Sequence, residues 1–209
     1  MVRSVLGVAV LVLLAGCAIN RSEVDVNVVQ PAESQAPAPS NGKKVYIIAV
    51  DDRVFQIKPD SPDIPTLKYD EIDDKSITER VFARKRNNYN MPIGDVLLPK
   101  GQTVSGLVAG AVANAYRQAG YEVVSTSGAR DASEVKVHVI EFWSWVKLQG
   151  VLDKVVSNKS LLKIKAAGAP EQQVNTLVNE NVKVTTNEDW KKITEDGLKA
   201  ITQETLKQL

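Results

Sequence analysis

The stretch from Glu134 to Val146 most restricts what this chain can fold into. Val135, Val137 and Val139 alternate with Lys136, His138 and Ile140. A period of two is the signature of a strand, because successive side chains leave on opposite faces. The stretch is therefore read as one long strand of a sheet. It ends Phe142-Trp143-Ser144-Trp145, and strict alternation puts Trp143 and Trp145 on the valine side. Two readings of the pair stay open. The tryptophans complete the core face, or they rim a binding surface beside Ser144, Lys147 and Gln149, where ring and N–H divide between apolar surface and water.

Other elements follow from the same reasoning. Val24, Val26 and Val28 alternate with Asp25 and Asn27 and suggest an edge strand over 23–29. Lys44 to Val50 is a short apolar run of a buried strand. Residues 59–75 carry Pro59, Pro62 and Pro65, with Asp60, Asp63, Asp70, Glu71, Asp73 and Asp74, and read as a solvated acidic loop. A strand is expected over 77–82. Arg80, Arg84, Lys85 and Arg86 form a basic cluster that either faces the acidic loop or offers a patch to an acidic partner.

Thr103 to Ala119 repeats apolar residues at helical spacing and stops at Gly120. Gly106 and Gly110 within it suit close packing on a sheet. Further strands are expected over 121–125, 160–167 and 174–185, the last two as a hairpin around Gly168 and Pro170. A second helix runs from Asn187, with Thr185 and Glu188 at capping-box spacing. The order implies α+β: an antiparallel-rich sheet of about four to five strands with two helices on one face.

The N-terminus says where the chain works. Arg3 precedes an apolar run from Val5 to Leu14, too short to span a bilayer, which takes roughly 20 residues. Leu14-Ala15-Gly16-Cys17 closes it. This pattern resembles the lipobox of bacterial lipoproteins, and Cys17 is the only cysteine. The resemblance implies cleavage between Gly16 and Cys17 and anchoring in the membrane by diacylglycerol and an N-acyl chain such as palmitate on Cys17. Ala18, rather than Asp, implies sorting to the outer membrane, facing the periplasm. Three spans follow: signal peptide 1–16, lipidated cysteine and flexible tether 17–43, and one α+β domain 44–209. With no second cysteine for a disulfide, stability must come from an ordinary core.

Charge and residue types exclude several chemistries. There are 26 basic and 25 acidic residues, and cleavage removes Arg3. A neutral body argues against nucleic acid as a partner. His138 is the sole histidine, on a strand face it shares with Lys136, and is read as a surface group. One histidine and no free cysteine leave no zinc site. Asp51 and Asp52 are adjacent, so on a strand they point apart and make no carboxylate pair. No phosphate loop or nucleophile motif occurs. No cofactor, metal or catalytic residue is expected.

From Val45 onward the chain resembles the YajG-like lipoproteins of Gram-negative bacteria. The residues that carry the likeness, beside the lipobox, are Val50-Asp51-Asp52-Arg53, Arg86-Asn87 with Ile93-Gly94, Ala119-Gly120-Tyr121-Glu122-Val123-Val124, and Phe142-Trp143-Ser144-Trp145. The insertion over about 60–75 departs from the family's shorter members. The resemblance implies an α+β periplasmic body without known catalysis. The expected function is non-enzymatic binding or assembly in the cell envelope, through an envelope protein partner. The alternative is an accessory lipoprotein of a lipid or lipopolysaccharide transport system.

Overall fold

The computed structural model describes residues 21–28, 39–87, 89–125, 131–149 and 153–209. Its elements run β1 (Ser22–Glu23), β2 (Lys44–Asp51), α1 (Lys75–Thr78), β3 (Val81–Arg86), β4 (Pro92–Leu97), α2 (Val104–Gln118), β5 (Glu122–Val123), β6 (Ala132–Gln149), β7 (Asp153–Ala166), β8 (Gln172–Val182) and α3 (Asn187–Leu206). The eight strands form one mixed sheet, larger than the four to five expected. Where strands were expected over 23–29 and 121–125, β1 and β5 have only two residues each, and β4, for which no strand was expected, starts at Pro92 and shows no clear period. Where a strand was expected over 77–82, α1 comes first and β3 begins at Val81.

β6 organises the sheet by using one edge twice. Residues 132–139 pair in parallel with β2, and farther along Ser144 pairs with Ala83 of β3. The other edge pairs with β7 from Val135 to Gln149. Val139 lies opposite Leu162 and Glu141 opposite Leu161, which leaves Ile140 as an extra, unpaired residue. Such a bulge reverses the facing of everything after it. Before Ile140, Val135, Val137 and Val139 enter the main core under α2 and α3. After it, Phe142 enters that core, and Ser144 Oγ meets Thr194 Oγ1 of α3 at 3.1 Å. Trp143 joins a separate cluster with Phe55, Leu67, Val81 and Leu97 on the opposite face. The tryptophans therefore do not continue the valine face, as alternation alone implied.

Both long helices lie on one face, as expected. In α2, Val104, Leu107, Val108, Ala111, Val112 and Tyr116 are buried in the main core, and Thr103 caps the helix by accepting the Gly106 N–H at 3.1 Å. Gly110 packs on the N-terminal segment rather than on the sheet. A Cβ there would come within 2.9 Å of Val28 Cγ2. α3 has a capping box, but one residue later than expected, between Thr186 and Asp189. Thr202 Oγ1 donates to the Ala111 carbonyl at 2.9 Å and ties the helices together.

Residues 21–28, inside the span 17–43 assigned to anchor and tether, belong to the folded body. β1 pairs in parallel with β4, while Val24 and Val26 are buried in the main core. Arg21 pairs with Glu71 at 2.7 Å and with fully buried Asp95 at 3.0 Å.

The acidic insertion covers the second face. Phe55 meets Trp143 edge-on at 6.2 Å between centroids, and Leu67 is fully buried. Arg53 holds the fork between β2 and β3. Its guanidinium is sealed from solvent and binds both Asp51 carboxylate oxygens at 2.8 Å. It also donates to the carbonyls of Thr78, Val81 and Phe142. The side chain thus closes the gap that β6 leaves when it changes neighbours.

Candidate ligand-binding site

The basic cluster does not face the acidic insertion as a unit. Arg80 pairs with Glu23 and donates to the Leu98 carbonyl, and Arg84 lies 3.4 Å from Asp95. Lys85 and Arg86 continue to the end of β3 and open into a cavity of about 490 Å³. Its wall is made by the ends of several elements. β6 supplies Val146, β7 Lys154, β4 Ile93, the turn before α3 Val184 and Thr185, and α3 itself Trp190. A smaller space of about 290 Å³ adjoins it, sharing Arg86, Val146 and Lys154 and adding Lys147 and Leu148.

The electrostatics of this region are one-sided. Among the described residues no carboxylate lines either space. Among the described residues, none of Lys85, Arg86, Lys147 and Lys154 forms an ion pair. Arg86 donates to the Asn90 carbonyl at 2.9 Å instead. Burial lowers the Lys85 ammonium pKa. It also lowers that of Arg86, with Arg84 adding repulsion. Both shifts mean that the charged form has lost water without gaining a counter-charge. Thr185 Oγ1 is buried and has no hydrogen-bond partner among the described residues. An anionic group would satisfy these cations and this hydroxyl together, while Ile93, Val146, Val184 and Trp190 offer apolar wall.

The residues singled out in the sequence fall elsewhere. Gly16 and Cys17 lie outside the described residues. Trp143 has no exposed surface, and its Nε1 donates to the Pro62 carbonyl at 3.1 Å. Trp145 is partly exposed and lines a neighbouring hollow with Ser61, Pro62 and Asp63. His138 Nδ1 contacts Asp52 Oδ2 on the strand surface, and neither lines the basic cavity. Among the described residues no group of three or more His, Cys, Asp or Glu could hold a metal ion. Nor is any described helix long and apolar enough to cross a membrane. The sequence marked Lys85 and Arg86 as basic. It did not join them to Lys147 and Lys154, because strand register makes that connection.

No family model and no curated protein sequence matches the chain. Among solved structures, it is similar to protein XCC0632 from Xanthomonas campestris, of family DUF330, at 13% identity and a TM-score of 0.45, covering 90% of this chain and 91% of that one. A minor lipoprotein from Acinetobacter baumannii aligns at 12% identity and a TM-score of 0.37, over 52% of this chain and 88% of the other. Rare lipoprotein B from Shewanella oneidensis aligns at 12% and 0.34, over 48% and 86%. Likeness at this level assigns neither family nor ligand.

Proposed function

We propose that the chain is an acylated lipoprotein of the YajG-like kind. It is anchored through Cys17 in the outer membrane, faces the periplasm and binds without catalysis. The basic cavity at the end of β6 is its binding site. The observation that supports this reading is four cations, Lys85, Arg86, Lys147 and Lys154, around spaces where, among the described residues, no carboxylate lies. Lys85 and Arg86, half-buried and without a counter-charge among the described residues, favour an anionic ligand, and the adjoining apolar wall favours one that is also partly apolar. The ligand class is an anionic amphiphile.

The same wall favours a second reading, an accessory lipoprotein in lipid or lipopolysaccharide transport that holds the amphiphile in passage. Native mass spectrometry of the full lipidated protein tests the site. Phosphatidylglycerol should bind in preference to phosphatidylcholine. Arg86→Glu and Lys154→Glu should each weaken that binding on the order of tenfold, about 1.4 kcal/mol. Equal binding of both lipids, or no effect of either substitution, would overturn the site. Faster transfer of labelled phosphatidylglycerol between vesicles with the native chain, but not with Arg86→Glu, would select the transport reading.

A further inference from the structure

The sheet has several incomplete edges, and they are not equally protected. β1 and β5 are two residues long. Among the described residues β5 covers β2 only at Lys44 and Val45, leaving 46–51 without a partner on that side, and β4 opens at Pro92. Among the described residues β8 is the longest open edge, eleven residues paired on one side alone. Natural edges are usually blunted by lysine, proline, a bulge or a covering segment. β8 has no Lys, Arg, Pro or Gly. Its ladder to β7 runs without a register shift from Ile164↔Gln172 to Lys154↔Val182. Its single charge, Glu180, pairs with Lys192 of α3. Among the described residues one hydrogen bond reaches its outer backbone, from Gln208 Nε2 to the Gln173 carbonyl at 3.1 Å.

The composition of the edge says what fits it. Gln173, Asn175, Leu177, Asn179 and Asn181 share its exposed face, and Leu177 is 60% exposed. We infer that β8 pairs antiparallel with β8 of a second copy of this chain, about a two-fold axis at Leu177. Leu177 is the middle residue of the strand, so this register overlaps the whole edge. It places Leu177 opposite its own copy, Asn175 opposite Asn179, and Gln173 opposite Asn181. On the other face Glu180 meets Val174, and Thr176 meets Val178. No like charges meet, and like charges directly opposite would destabilise the pair. A register centred on Glu180, or parallel pairing in register, would bring Glu180 against itself. The two-fold axis stands normal to the sheet, so both α3 helices lie on one face and the assembly closes at two copies.

Light scattering on the detergent-solubilised, full-length lipoprotein tests the inference. The native chain should be a dimer. Leu177→Lys sets two ammonium groups in opposition and should raise the dimer dissociation constant on the order of tenfold or more, about 1.4 kcal/mol at least. Leu177→Glu should do the same, and an equimolar mixture of the two variants should recover the dimer. Leu177 is exposed, so at concentrations where both chains are monomeric the far-UV circular dichroism and thermal midpoint of the variants should match the native chain and separate dissociation from misfolding. Co-occupancy of one micelle would be insensitive to these substitutions. A monomeric native chain, or a dimer indifferent to Leu177→Lys, would overturn the inference.

Discussion

The two halves of β6 share one strand and meet different surroundings. Residues 132–139 run between β2 and β7 with one face under the helices, and Lys136 is exposed on the other. Just past the bulge, over 142–144, both faces are covered, before Lys147, Leu148 and Gln149 emerge at the strand's end. Phe142 and Ser144 lie under α3, and Trp143 lies under the acidic insertion. Three consecutive residues, Phe142, Trp143 and Ser144, are fully buried, which alternation cannot produce beneath a single covering layer. The difference shows that one inserted residue lets a strand pass from one-sided to two-sided burial. It moves the tryptophan rings onto the face that would otherwise be wet.

Deleting Ile140 should break the comparison most severely. The remaining strand would present Trp143 to the helices and Phe142 and Ser144 to the insertion. The loss should exceed a stability of about 5–15 kcal/mol and abolish cooperative unfolding by circular dichroism. A folded deletion variant would mean that the bulge does not set the facing. Arg53→Met comes next. It leaves Asp51 without its partner and three backbone carbonyls without their donor at the fork, at a cost of about 3–5 kcal/mol by urea denaturation.

Trp143→Ala should cost about 3–5 kcal/mol in the same assay, and Val137→Ala in the first half about 2 kcal/mol. Trp145→Ala, partly exposed, should fall well below Trp143→Ala. Equal losses at the two tryptophans would mean that the insertion does not seal the second half.

The smallest effect is acid sensitivity of the insertion. Burial would push the Asp63 carboxyl up, but the Ser61 hydroxyl and the Lys159 ammonium outweigh it and hold it below the usual carboxylate value. A lowered native pKa adds stability that is present at neutral pH and lost as pH falls through the carboxyl range, below about 4. Asp63→Asn should remove that part of the decline. The check is the difference in thermal midpoint between pH 7 and pH 3. An unchanged acid decline in Asp63→Asn would show that Asp63 does not contribute to it.

Legibility followed the range of the physics. The stripe of α2 and the burial of Val135, Val137 and Val139 were readable because they depend on local period. The N-terminal cap of α3 was readable to within one residue, since Thr185 and Thr186 offer the same capping chemistry. The basic patch was half-readable. Lys85 and Arg86 are neighbours in sequence, whereas Lys147 and Lys154 come from across the β6–β7 turn. The facing of Trp143 was not readable, because Ile140 looks like any other strand residue until its neighbours are paired.

By itself the sequence determined the α+β class, the apolar faces of both long helices and the position of the single cysteine just after an apolar run. Each rests on residues within a few positions of one another. Tertiary structure alone decided that Trp143 lies beneath the insertion, that Arg53 joins three segments at the fork, and that four cations share spaces that, among the described residues, no carboxylate lines. Those outcomes depend on register, and register is settled by which distant strands pair.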